Sequence, residues 1–193
     1  VLDAAPDATL VYGLTKHCTT DELKAAIQSN TLESKLNQVH VHTGDFIFIP
    51  AGSVHAIGGG LRLLEVQQSC NITYRLYDWG RPRELHVEKG LASVKHADRE
   101  PIAPMPDEFS CDYFTLKKVT VRGGYSFAVP HAHGTSADWQ LVFVASGSGT
   151  ISATVPDGSK SELSFAKEQI FALAPGERIT AEGACELIRI SAR

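Results

Sequence analysis

Apolar and polar positions along the 193-residue chain follow two different rhythms. The opening "TLVYGL" (residues 9–14) alternates as a half-buried strand does. Thr19-Thr20-Asp21-Glu22 then sets a hydroxyl and a carboxylate at capping-box spacing ahead of "LKAAIQS", which predicts a short amphipathic helix. "NTLESKLN" adds another helical turn or two. After it, "VHVHTGDFIFIP" switches to period two with β-branched and aromatic residues. "LRLLEVQQS" and "TYRLYDW" read as two further strands separated by polar residues, and "PRELHVEKGLASV" as a short helix.

The rhythm stops between Ala97 and Glu108, where "ADREPIAPMPDE" carries three prolines and alternating charges without periodicity. A connection between two units belongs there, giving a first unit over residues 1–96, a linker over 97–110 and a second unit over 111–193. Beyond it, "YFTLKKVTV", "YSFAVP", "QLVFVAS", "GTISATV", "SELSF", "QIFALAP" and "CELIRIS" are short strand-like runs punctuated by glycine and proline. They predict a small all-β barrel or sandwich with no need of a helix.

Composition narrows the class. A hydrophobic content of 43% gives enough apolar material for one sizeable core or two small ones. No apolar run approaches a membrane span, and "VLDAAPDATL" lacks the basic start and long apolar stretch of a secretory signal, so a cytoplasmic setting is the expectation. Cys18, Cys70, Cys111 and Cys185 lie far apart, without a C-x-x-C pair, which suits reduced thiols. A net charge of -4 with no one-sided basic surface argues against nucleic acid as a partner. Locally, Arg75, Arg81 and Arg83 crowd together; they could converge on one phosphate, or form a solvated face paired with Asp78 and Glu84.

The candidate chemistry centres on "GDFIFIPAGSVHAIGGG" (residues 44–60). Gly44-Asp45 makes a tight turn, "FIFI" a buried strand, Pro50-Ala51-Gly52 a second turn, and His55 opens the next strand. The spacing G-x5-P-x-G-x2-H resembles the second motif of the cupin barrels, in which the histidine points into the barrel and binds a metal. The run from Gly44 to Arg81, followed by "RELHVEKGL", is similar to the core signature of the type I mannose-6-phosphate isomerases. The flanks resemble that family too, so the likeness covers nearly the whole chain, as its C-terminal two-thirds.

The resemblance implies a mainly β fold of two cupin-like jelly-roll units, the first incomplete and carrying a short helical insertion. It implies zinc, one ion per full-length chain, and a sugar phosphate as substrate, with no membrane or nucleic-acid partner and a monomer or weak homo-oligomer. His55 matches the family's last zinc ligand. Arg75 falls on an arginine lining the active site, where fixed positive charge can stabilise a developing enediolate. Glu65 falls on an active-site carboxylate, and Arg81 on a basic position near the substrate phosphate. Plainer roles stand beside these: Glu65 as an exposed strand residue, Arg75 as an ion-pair partner of Asp78, and Tyr74, Tyr77 and Trp79 as packing residues.

Departures from the family pattern are informative. Ser69, Cys70 and Asn71 stand where the signature has Asn, Ser and Asp. The family's other three zinc ligands lie upstream of the segment where this chain begins, so these residues alone are expected to hold zinc weakly or not at all and to be inactive. His40 and His42 read as a solvated strand face. His131, His133 and Gln140 resemble part of a first cupin motif, but the matching second motif has Arg178 or Ile179 in place of a histidine, which favours a metal-free second barrel. The alternatives are a non-catalytic bicupin that binds sugars or regulates, and a dioxygenase-type cupin, for which the iron-binding set is not displayed.

Overall fold

The computed structural model describes residues 1–95, 99–130 and 139–193, so His131 and His133 lie outside the described residues. The chain divides into two compact units, Val1–Pro104 and Met105–Arg193. The division falls inside the proline segment, which contributes a short strand to each unit.

In the first unit, strand β2 (Thr9–Leu14) lies between β3 (Leu36–His40) and β5 (His55–Ile57) in an antiparallel sheet. Two ladders of two residues each complete the strands: β1 (Asp3–Ala4) with β6 (Leu61–Arg62), and β4 (Asp45–Phe46) with β7 (Ala103–Pro104). Helix α1 (Thr20–Gln28) starts where the capping box predicts. Glu22 N–H donates to Thr19 Oγ1 at 3.2 Å, and Thr19 N–H donates to Glu22 Oε2 at 2.8 Å. It ends as Asn30 turns into the left-handed region at φ 56°. A 3-10 turn over Leu32–Lys35 follows, and helix α2 spans Val87–Ser93.

Leu23, Leu32 and Leu91 from these helices and turns pack with Val11 of β2, Leu36 of β3 and Cys18. Burying a leucine such as Leu23, 1% exposed, contributes about 2 kcal/mol. A smaller cluster of Leu10, Tyr12 and Val41 is joined by Val39, Ile47, Ile49 and Ile102.

Two predicted strands are absent. "LRLLEVQQS" is ladder-paired only at Leu61–Arg62, "TYRLYDW" forms no ladder, and the next regular element after Arg62 is α2. Alternation makes a segment suitable for a pleated, half-buried surface, but a strand exists only where another edge meets it. Apolar positions here are covered differently: Leu76 and Tyr77 pack against the helical cluster. "FIFI" likewise leaves its ladder at Phe46.

The second unit is one antiparallel sheet in the order β11 (Lys160–Ala166), β10 (Gln140–Thr154), β13 (Arg178–Ala192), β9 (Phe114–Ala128) and β8 (Glu108–Ser110), with β12 (Ile170–Leu173) also on β10. Several predicted short strands fuse into three of fifteen residues each. Gly147, which separates two of the predicted runs, and Gly149, which opens the second, both lie within β10, where backbones approach closely. A Cβ on Gly149 would sit 1.9 Å from Glu182 O, and one on Gly147 2.0 Å from Ala184 O. Val121, Val142, Val144, Ile179, Ala181 and Leu187 form the core that the inner face encloses.

Candidate functional site

The turn ahead of His55 forms as its sequence requires: Gly52 adopts φ 95°, and Ser53 N–H donates to Pro50 O at 3.1 Å. His55 then pairs directly with Tyr12 across β2 and β5, and Leu10 pairs with Ile57. Opposed residues share a face, so the imidazole projects from the side that carries the Leu10–Tyr12–Val41 cluster, while Ala56 packs toward the helices. His55 is exposed, and its Nδ1 lies 3.0 Å from Ser53 O. If Nδ1 carries the proton, that carbonyl holds it and leaves Nε2 as the ligand atom, the second-sphere arrangement of metal-binding histidines.

The other sequence-picked residues lie in the irregular run between β6 and α2. Glu65 is exposed. Arg75 is half-buried; its Nη1 donates to Glu84 O at 3.1 Å and its backbone N–H to His86 Nδ1 at 3.3 Å. It is therefore not an ion-pair partner of Asp78. That carboxylate, 4% exposed, is taken by Arg83, whose Nε lies 2.5 Å from Oδ2 and whose Nη2 meets Oδ1, and by Arg81, whose Nη2 lies 2.7 Å from Oδ1. The hydrogen bond from Arg83 is the largest cause holding the Asp78 carboxyl below its ordinary range, with the charges of Arg81, Arg83 and Arg75 acting in the same direction. Arg81 and Arg83 remain about half exposed, so Asp78 orients two guanidinium groups that still face solvent.

Among the described residues no hydrogen bond or ion pair joins His55, Glu65 and Arg75 to one another, and no group of three or more His, Cys, Asp or Glu could hold a metal ion. His55 suits one zinc position in chemistry and orientation; the described residues do not complete a zinc set around it. His40 and His42 are both exposed, with His42 Nδ1 3.6 Å from Asp45 Oδ2. Sequence reasoning named Asp78 only as a possible pairing partner, not as the hub of the arginine cluster. Its signal was an acid three and five residues before two arginines in a glycine-proline turn.

Comparison with known proteins places this geometry. No protein-family model matches the chain. It superposes on the crystal structure of the mannose 6-phosphate isomerase from Bacillus subtilis with a TM-score of 0.79 and 26% identity, over 98% of this chain and 62% of that one. The fold is mainly β and cupin-like. Within that class the chain is similar to proteins named as mannose-6-phosphate isomerases. It is 29% identical to the probable mannose-6-phosphate isomerase GmuF of Bacillus subtilis, over 97% of this chain and 61% of the relative. It is 34% identical to the mannose-6-phosphate isomerase ManA of the same organism, over 65% of this chain and 45% of the relative. The chain thus spans less than two thirds of the length of either relative.

Proposed function

We propose that these residues belong to a zinc-dependent aldose-ketose isomerase that interconverts mannose 6-phosphate and fructose 6-phosphate. The observation that carries the reading is the superposition on the Bacillus subtilis isomerase along 98% of this chain. The reaction moves a proton between carbon 2 and carbon 1 of the open-chain sugar through a cis-enediol. Arg75, fixed by the Glu84 carbonyl, offsets the negative charge that develops on the enediolate oxygens. Arg81, braced by Asp78, anchors the phosphate and so fixes the reacting carbons. Glu65 is the candidate carboxylate for the proton transfer.

His55 is one zinc ligand in this reading, with the remaining ligands supplied from outside these 193 residues. The isolated residues are accordingly inactive, and the cytoplasm is the expected setting, in keeping with four unbridged cysteines. The test is mannose 6-phosphate turnover and bound zinc in the protein expressed from its complete coding sequence. His55→Ala is expected to remove both. A His55→Ala protein that keeps its zinc ends the ligand assignment, and a complete protein that binds the sugar phosphate without turning it over favours the non-catalytic bicupin.

A further inference from the structure

The inner face of the second unit changes character along its length. On β13, Ile179, Ala181, Cys185 and Leu187 all point into the core, and the same alternation brings Arg189 and Ser191 inward at the end of the strand. Thr115 and Lys117 on β9 and Gln140 on β10 occupy the matching inward positions, in phase with Val119, Val121 and Val142. With Glu108 they line a cavity of about 220 Å³.

Arg189 is held in a fixed pose. Its Nη1 donates to Tyr125 Oη and its Nη2 to Gln140 Oε1, both at 2.9 Å, and the guanidinium lies 3.7 Å from the centre of the Phe127 ring. The Nε–H is buried and has no hydrogen-bond partner. Among the described residues no carboxylate forms an ion pair with it. Lys117 sits directly opposite Arg189 across the ladder, and like charges so placed repel. Glu108, with Oε2 3.9 Å from Lys117 Nζ, offsets one of the two cations. The cross-strand pair of cations, with a single carboxylate beside it, is relieved by a small anion in the cavity they line.

We propose that this mouth of the second unit binds a small polyhydroxy monocarboxylate, a sugar acid, with its carboxylate on Arg189 and Lys117. The planar fork of a guanidinium matches a carboxylate, and two cations with one carboxylate in the lining favour a single negative charge. The hydroxyls of Thr115 and Ser191 and the amide of Gln140 suit the hydroxyls of such a ligand.

The test follows the Arg189 Nε–H resonance of the full chain by NMR, titrated at low salt with gluconate, acetate, inorganic phosphate and glucose. The resonance is expected to shift saturably with gluconate, to respond more weakly to acetate, and to ignore glucose. Lys117→Met, at an exposed position, is expected to weaken gluconate by about tenfold, and Arg189→Met to abolish calorimetric binding at this site. No saturable shift, an equal response to glucose, tighter binding of phosphate than of gluconate, or unchanged affinity in Lys117→Met would each overturn the proposal.

Discussion

The two units solve the same packing problem with opposite means. The second encloses its core with three strands of fifteen residues, β13 and β9 in continuous register and β10 with one bulge between Val144 and Ser146, so position along a strand fixes which side chains face inward on either side of that bulge. In the first, the longest strand has six residues, and the arginine-rich run from Leu63 to His86 is held by side chains and backbone contacts outside any ladder. A ladder spreads its stability over many equivalent bonds, whereas an irregular run depends on a few residues. Asp78 is the extreme case, because one carboxylate gathers two arginines. Candidate chemistry in the first unit therefore sits where single substitutions reshape the local structure, and in the second where the register resists them.

The contrast can be broken most directly at the strand crossing. Gly149→Ala is expected to cost more than about 3 kcal/mol, because its Cβ would lie 1.9 Å from a backbone oxygen that cannot rotate away. Urea unfolding followed at Trp139, with Trp79 replaced, reads the second unit; an unmoved midpoint would show that the crossing is not tight. Leu187→Ala, at a side chain 1% exposed, is expected to cost about 3 kcal/mol by the same measurement. In the first unit, Thr19→Ala removes the hydroxyl half of the capping box and is expected to cost about 1 kcal/mol, read at Trp79 with Trp139 replaced.

Asp78→Asn should leave the unfolding midpoint nearly unchanged while speeding amide exchange and tryptic cleavage at Arg81 and Arg83. Because the Asp78 carboxyl titrates lower in the folded state, its contribution is complete above the ordinary carboxylate value of about 4. It is lost as pH falls through the depressed folded value. Amide exchange in residues 78–83, corrected for its intrinsic pH dependence, should therefore rise only in that acid window, and a rise near neutrality would contradict the assignment. The smallest effect is expected at the exposed Lys24–Glu88 pair, 2.7 Å apart, where Lys24→Ala should give no resolvable shift in either signal.

Much of the first unit's local structure was legible. The capping box ahead of α1, the turn before His55, and the short strand that His55 opens all depend on residues within a few positions of one another. The strands expected over Leu61–Ser69 and Thr73–Trp79 formed only at Leu61–Arg62, since period-two alternation records a suitable surface and is silent about a neighbouring edge. The break expected at Gly147, between "QLVFVAS" and "GTISATV", is absent for a related reason. Gly147 permits close backbone approach inside a strand, which composition does not distinguish from a break between strands. The turn ahead of His55 and the crowding of Arg75, Arg81 and Arg83 were legible from spacing, but Asp78 as the partner of both Arg81 and Arg83, and Arg189 as an inward cation, were not.

The sequence by itself determined the mainly β character, the capped helix, the turn that presents His55, and the likeness carried by the run from Gly44 to Leu91, because each is written in residues close along the chain. Only the tertiary structure decided which alternating segments became strands, which carboxylate organised the arginines, and that Arg189 and Lys117 face one another on an inner surface. Strand pairing and burial are set by partners tens of residues apart, and no local pattern encodes which of the available edges a segment will meet.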